Sequence, residues 1–280
     1  MTATSGYGLK GLVSWPCYLS PLRIAKNSPN TPLPEPDVKP TQHRLFAWTA
    51  LSFALLVLWD FSGLDLLMAH WFGSARGFAL ESHWLWRDLL HDDVRLWPWV
   101  LELALLLAIF WPLGTLKQLP MIRRAQLALT TFAALLVVST IKIYSRSSCP
   151  WDLQQFGGAA TYVSHWAWGV RDGGTGGCFP AGHASAGFAF IGGFFAFRHV
   201  LPQTAWRWFA GAMLVGAIFG LAQQIRGAHY MSHTLWTAWF CWTVAAALDA
   251  AVSQLIERRR SRAPEPVLAL SIPMPSTPAE

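Results

Sequence analysis

The sequence predicts an all-α integral membrane protein built as a bundle of six helices. Apolar residues make up 53% of its 280 residues and charged residues only 13%, whereas a soluble domain carries about 25% charged residues. Six stretches approach the roughly 20 apolar residues that a helix needs to cross a bilayer. This composition excludes a disordered chain, a small disulfide-rich secreted domain and an ordinary cytosolic enzyme.

The six predicted membrane helices follow one another between residues 44 and 255. The first begins at about Arg44 and runs beyond Trp59, with Asp60 and Asp65 at its far end. The other five are predicted at Leu96–Leu113, Ala125–Tyr144, 183–199, Trp206–Gln224 and Thr234–Leu255. The fourth of the six is rich in Gly and Ala, which favour close helix contacts in membranes.

The basic residues are distributed unevenly between the two sides of this bundle. Fourteen of the 21 lie in the two terminal segments and in the second–third and fourth–fifth connections. Because cytoplasmic loops carry an excess of Lys and Arg, both termini are predicted to be cytoplasmic. Residues 1–43 then form a Pro-rich cytoplasmic arm, 44–256 the membrane domain and 257–280 a cytoplasmic tail. The net charge of +6 therefore reflects membrane orientation, and nucleic acid is not an expected partner.

Three polar motifs lie on the opposite, outer side, where the predicted helices end. They comprise Lys142, Arg146 and Cys149–Asp152; Cys178–His183; and Arg226, His229 and His233. Ionisable groups near membrane depth are costly and therefore indicate function. Lys and Arg neutralise phosphate oxygens, one His can attack phosphorus, and a second can protonate the leaving oxygen. The motifs together predict phosphoryl transfer without a metal or cofactor.

Local geometry is expected to support this chemistry in two ways. Backbone N–H groups around Gly182, at the predicted start of the fourth helix, would add an anion site. Arg226, His229 and His233 would share one face if their segment is helical, because they are three and seven residues apart.

The motifs resemble those of the type-2 phosphatidic acid phosphatase superfamily of six-span lipid phosphatases and phosphotransferases. Its motifs are Lys-x6-Arg-Pro, Pro-Ser-Gly-His and Ser-Arg-x5-His-x3-Asp, placed after the third span, at the start of the fourth and between the last two. The resemblance implies that His229 is the nucleophile, forming a phosphohistidine, and that His183 is the general acid. It implies a phosphate site formed by Lys142, Arg146, Arg226 and Gly182.

Four positions depart from this pattern. Cys149 and Gln223 stand where the motifs have Arg, Ala181 where they have Ser, and His233 where they have Asp. The chain is closer to a divergent bacterial branch with Cys-Pro-Trp-Asp, Pro-Ala-Gly-His and Arg-Gly-Ala-His-x2-Ser-His motifs. A neutral imidazole at position 233 can orient the nucleophile but supplies no negative charge. His233 and Asp152 are therefore the candidates for orienting His229.

The outer loop carries two cysteines, Cys149 and Cys178, close to the first two motifs. In an oxidising compartment we expect a disulfide between them. The resemblance implies a bacterial inner membrane with the site on its periplasmic face, surrounded by membrane lipids. It implies phospholipid, polyprenyl or lipid A phosphates as substrates, such as phosphatidic acid, phosphatidylglycerol phosphate or undecaprenyl diphosphate.

Two other interpretations use the same residues. His229 and His233, four residues apart, could instead bind haem in a non-enzymatic or electron-carrying membrane protein. The departures from the family motifs also allow a pseudoenzyme that binds phospholipid without turnover.

Overall fold

The computed structural model describes residues 38–83 and 96–262. The chain divides into two units after Val38, and everything described below lies in the second of them. The predicted N-terminal arm falls almost entirely outside the described residues, as does most of the predicted C-terminal tail.

The structure is mostly helical. Its helices are α1 (Val38–Asp60), α2 (Leu64–Ala69), α3 (Trp97–Ala108), α4 (Met121–Tyr144), α5 (Ser185–Phe188), α6 (Gly192–Phe197), α7 (Pro202–Ile225) and α8 (Met231–Ser261). Two strands of two residues each, β1 (Gly73–Ser74) and β2 (Gly77–Phe78), form an antiparallel hairpin. An all-α prediction therefore misses this hairpin, because strands so short leave no alternating pattern in the sequence.

Three helices in the described ranges are long and apolar enough to cross a membrane: α4, α7 and most of α8. The second predicted span is only 12 residues long as α3, which ends at Ala108. Pro112 and Gly114 follow closely, and both disfavour continuation of a helix. The fourth predicted span is divided into α5, a 3-10 turn at Ala189–Ile191, and α6.

The end helices extend past the predicted domain boundaries. α1 begins at Val38, so the last residues of the predicted arm, 38–43, are helical. Pro40 does not prevent this, because proline is tolerated in the first helical turn. α8 continues to Ser261, so the first residues of the predicted tail are helical as well. The basic residues 258–260 occupy its last turns, where positive charge favours the helix dipole.

The main apolar core lies between α4, α5, α6, α7 and α8. Two glycines allow α5 and α7 to approach closely: a Cβ on Gly187 would collide with the Gly216 backbone, and one on Gly216 with the Phe188 ring. Because a larger residue would not fit at this contact, glycine is needed where α5 meets α7. A smaller core under the outer loop joins α2 and the hairpin to Phe156 and Tyr230.

The outer loop between α4 and α5 is ordered by its own polar contacts. Asp172 accepts hydrogen bonds from Ser148 N at 2.6 Å and Ser148 Oγ at 2.7 Å. Short 3-10 turns at Pro150–Asp152 and Gln154–Phe156 pack its first half. The loop is therefore a folded cap over one end of the helices.

A buried charge cluster holds the helices together at the end opposite the outer loop. Asp249 on α8 accepts hydrogen bonds from Arg123 Nη1 at 2.9 Å, Arg198 Nη2 at 2.7 Å and Gln126 Nε2 at 3.0 Å. Its side chain is only 2% exposed.

Replacing Asp249 by Ala should strongly destabilise the protein, because it leaves Arg123 and Arg198 partly buried without their carboxylate. Breaking a buried ion pair by removing one partner costs about 3–5 kcal/mol. The expected result is a lower melting temperature in detergent, measured by intrinsic Trp fluorescence. The control is Glu257→Ala on the same helix, whose side chain is exposed. Equal melting temperatures for the two variants would contradict this role for Asp249.

Candidate active site

The three sequence motifs converge at one end of the helices. Lys142 lies in the last turn of α4, and His229 lies in the short connection between α7 and α8. The turn that holds Gly182 and His183 is attached to α8: Ala181 N donates to His233 O at 3.2 Å, and Thr237 Oγ1 donates to Ala181 O at 3.1 Å. The structure thus brings the second and third motifs into direct contact.

Of the two predicted catalytic residues, His229 and His183, His229 is the more deeply buried. Its side chain is buried, and its Nδ1 lies 3.5 Å from Cys178 Sγ. Burial, followed by the positive charges of Lys142, His233 and His183, holds the pKa of His229 well below its ordinary value. At neutral pH the imidazole is therefore uncharged and keeps a lone pair for attack.

Lys142 reaches this region beside Gly182. A Cβ on Gly182 would lie 3.4 Å from Lys142 Cδ and 3.7 Å from Cε, so the glycine leaves room for the Lys side chain. Gly182 lies three residues before α5, a helix of only four residues, so the anion site expected around it stays a prediction. The observed role of Gly182 is its close packing against the Lys142 stem.

Arg226 is buried and held by several groups. Its Nε donates to Glu81 O at 2.9 Å, and Nη1 donates to Gln223 Oε1 at 3.2 Å. The guanidinium lies 5.8 Å from the centre of a Trp151 ring. These contacts connect Arg226 of the third motif to Trp151 of the first motif, and they fix the direction of the Arg226 side chain.

Arg226, His229 and His233 do not share a helical face, because the segment that holds them is not one helix. α7 ends at Ile225, and Gly227 follows with φ +77°, a left-handed conformation that ends helices and suits glycine. α8 begins only at Met231. His229 therefore extends from an irregular connection, while His233 lies in the first turn of the next helix.

His233 bridges the second and third motifs. Its Nδ1 lies 3.1 Å from Cys178 O, and because a carbonyl oxygen only accepts, Nδ1 carries the proton. The ring is buried and nearly perpendicular to the rings of Tyr230 and Phe179, at centroid distances of 5.0 and 5.2 Å. Its centroid lies 5.9 Å from that of His229. Both histidines thus pack directly against protein side chains, which gives no support to a haem between them.

Two predicted site residues lie in different surroundings. Arg146 is exposed and lines a small cleft with Trp168 and Phe179. Asp152 Oδ2 accepts from Cys149 N at 3.1 Å and Thr175 Oγ1 at 3.3 Å, so its contacts stabilise the outer loop. They give no support to an orienting role for Asp152.

Cys149 and Cys178 are joined by a disulfide with a Cα–Cα distance of 5.2 Å. The bond connects the start of the outer loop to the turn that carries Pro180 and His183. Both sulfurs and one ring nitrogen of His229 lie within 4.8 Å of one another. A disulfide has no thiolate to offer, so in this oxidised form the three groups are not a set of metal ligands.

Removing the disulfide with Cys149→Ser should loosen the outer loop and destabilise the protein. Closing a loop across 29 residues contributes about 3.5 kcal/mol in the chain-entropy description. Limited proteolysis should cut the loop of the variant faster than that of the wild type. Cys241→Ser is the control, because Cys241 is a free, buried cysteine in α8. An unchanged cleavage rate in Cys149→Ser would contradict the prediction.

His165, which the sequence did not single out, borders His233, and Asp60 in turn contacts His165. His165 stacks on Phe179 with a ring distance of 4.1 Å and an interplanar angle of 4°. Its Nε2 lies 3.3 Å from Asp60 Oδ2, an ion-pair distance, and both side chains are largely buried. Asp60 carried a usable signal, since a carboxylate inside an apolar run is expensive. His165 carried none, because it lies in an irregular Trp-rich loop.

Residues 124–257 match the family model of the PAP2 superfamily. This segment is similar to the PAP2 superfamily. No curated protein and no solved structure matches the chain. PAP2 proteins are phosphatase-type hydrolases that act on phosphate esters. The matched segment begins at the first turn of α4 and includes all three motifs, so Lys142, His183 and His229 lie in the matched part of the chain.

Proposed function

We propose that this protein is an integral membrane phosphatase or phosphotransferase that acts on a lipid phosphate or diphosphate. The reaction proceeds through a phosphohistidine on His229. The observation that carries the proposal is the buried, uncharged His229 beside Lys142, His183 and His233, within the PAP2-like segment. This arrangement pairs a nucleophile with cations suited to a phosphate group.

In the proposed reaction, His229 Nε2 attacks phosphorus, because Nδ1 faces the disulfide. The new N–P bond forms as the P–O bond to the lipid breaks, and its electron pair goes to the leaving oxygen. His183 gives that oxygen a proton. A water molecule then returns a proton to His183 and adds its oxygen to phosphorus, which breaks the N–P bond and releases phosphate. A second lipid hydroxyl in place of water would give transfer.

The phosphate oxygens are assigned to Lys142 and Arg226, with Gly182 giving close backbone access. Arg226 is fixed by Glu81, Gln223 and Trp151, so little side-chain freedom is lost when an anion binds. We assign Arg146 to contacts with the headgroup of the approaching lipid, because Arg146 is exposed on the outer loop. These three cations provide the charge neutralisation that a metal supplies in other phosphatases.

The aromatic surroundings support a lipid substrate. A cavity of about 240 Å³ lies beside His165 and Phe179, which themselves contact His233. Its walls are almost wholly apolar and include Phe53, Trp166, Phe179, Trp236, Trp239 and Phe240. A hydrocarbon chain attached to a phosphate at His229 could enter it without exposing apolar surface to water.

The membrane arrangement is part of the same proposal. We assign α1, α3, α4, the α5–α6 segment, α7 and α8 as six membrane helices, with both termini cytoplasmic. The three long apolar helices and the Lys/Arg distribution support this assignment. The site then lies on the periplasmic face of a bacterial inner membrane, where an oxidising compartment suits the Cys149–Cys178 bond.

The test is phosphate release by detergent-purified protein from phosphatidic acid, phosphatidylglycerol phosphate, undecaprenyl diphosphate and lipid A. We expect release from at least one of these lipids in the presence of EDTA, and much less from glycerol 3-phosphate, which has no chain. Binding of all four without release would support a pseudoenzyme and contradict the proposal. A Soret band in the purified protein would support the haem interpretation instead.

A further inference from the structure

The buried carboxylate of Asp60 has an unusual set of partners. Its Oδ2 accepts hydrogen bonds from Trp166 Nε1 and Trp236 Nε1, each at 2.9 Å, and lies 3.3 Å from His165 Nε2. These donors come from the outer loop and from α8, while Asp60 is the last residue of α1. Two indole N–H groups thus donate to one oxygen of a side chain that is only 2% exposed, and His165 Nε2 lies beside the same oxygen.

From Asp60 a continuous series of ring contacts leads to the nucleophile. The His165 ring is held flat against Phe179 and stands nearly perpendicular to the His233 ring, 5.7 Å away. The His233 ring lies 5.9 Å from the His229 ring. His233 is also anchored to Cys178 O, the residue adjoining Phe179. Asp60, His165, His233 and His229 therefore form one packed row with fixed ring orientations.

The third motif lacks a negative charge, because position 233 is His. When His229 Nε2 attacks phosphorus, its imidazole becomes cationic and needs a nearby anion. In the described part of the site, the charges of Lys142, His183 and His233 disfavour a cationic His229. A carboxylate in a poorly hydrated interior acts over longer distances than one in water.

We propose that Asp60, acting through His165 and His233, is the positioning carboxylate that supports cationic His229 during phosphoryl transfer. Asp60 supplies the negative charge from α1, outside the matched PAP2 segment. His165 and His233 hold the intervening rings in a fixed arrangement. This inference rests on the proposed function, since it assigns a role in the same reaction.

The experiment compares kcat and KM of wild type, Asp60→Asn, His165→Phe and the double variant. The substrate is the lipid of the four-lipid panel that the wild type hydrolyses fastest. Asp60→Asn keeps an oxygen that can accept from the two indoles but removes the charge. His165→Phe keeps a flat ring on Phe179 but removes the ring nitrogen that lies beside Asp60. We expect each single change to lower kcat by about tenfold to a hundredfold, with KM changed less than about twofold.

The double variant decides whether the two residues act together. If they belong to one unit, it is no slower than the slower single variant; two independent effects would multiply. Asp65→Asn is the matched control, because Asp65 is a buried carboxylate that accepts hydrogen bonds from Trp59 Nε1 and Ser232 N and, among the described residues, from no histidine. Its kcat should stay within about threefold of wild type.

The outcomes separate the two proposals. Wild-type kcat in Asp60→Asn, or multiplicative losses in the double variant, would overturn the positioning role while the proposed function stands. Absence of turnover in the wild type would overturn both. If Asp60→Asn fails to give a monodisperse peak on size exclusion, His165→Phe alone decides: a kcat loss at constant KM supports the role, and an unchanged kcat overturns it.

Discussion

His229→Gln should abolish phosphate release, with a loss of at least about a thousandfold in kcat, because the variant has no nucleophilic nitrogen lone pair. The wild type should also form an acid-labile, base-stable phosphoenzyme when it is mixed with radiolabelled lipid phosphate and quenched. The variant should form none. Both measurements use the same detergent-purified protein.

The control for this change is His199→Gln, a histidine that is exposed and lies between α6 and α7, away from the site. It should keep wild-type turnover and phosphoenzyme yield. Trp fluorescence melting should show that His229→Gln is folded. A folded His229→Gln that still releases phosphate at more than a hundredth of the wild-type rate would remove His229 as the nucleophile.

The long apolar helices were predictable because a long, uninterrupted apolar stretch is compatible with few structures other than a helix. α4 and α7 begin at or before the first predicted apolar residue and end within one residue of the predicted end. The failures occur where local signals compete with apolar length. Pro112 and Gly114 shorten α3, and the glycines of the α5–α6 segment trade helix propensity for close contact with α7.

The site divides in the same way. That Lys142, His183 and His229 lie near one another could be predicted, because each lies at a fixed place in a local motif. The partners of Asp60 could not, since they depend on how α1 packs against α8 and the outer loop, which are more than 100 residues away in sequence. The contacts of Asp152 were equally hidden, because a carboxylate that closes a local turn looks like any other polar loop residue.

Lys142→Met should reduce kcat/KM at neutral pH by about a hundredfold, because it removes an ammonium group from the phosphate site. Methionine retains an unbranched stem beside Gly182, so the packing there is preserved. The exposed Lys117 provides the control Lys117→Met, which should leave kcat/KM unchanged. Lys142→Arg should recover part of the activity, since it restores the charge but not the shape.

The pH profile of Lys142→Met should distinguish lost charge from lost packing. In the wild type the Lys142 charge lowers the pKa of His229, below an ordinary value of 6.5. Without that charge the pKa rises, so His229 becomes protonated at higher pH and loses its lone pair there. The acid limb of kcat/KM should therefore move to higher pH in Lys142→Met and stay near its wild-type position in Lys142→Arg. An acid limb that stays in place or moves to lower pH in Lys142→Met would show that Lys142 does not act on the nucleophile, even if its loss slows the reaction.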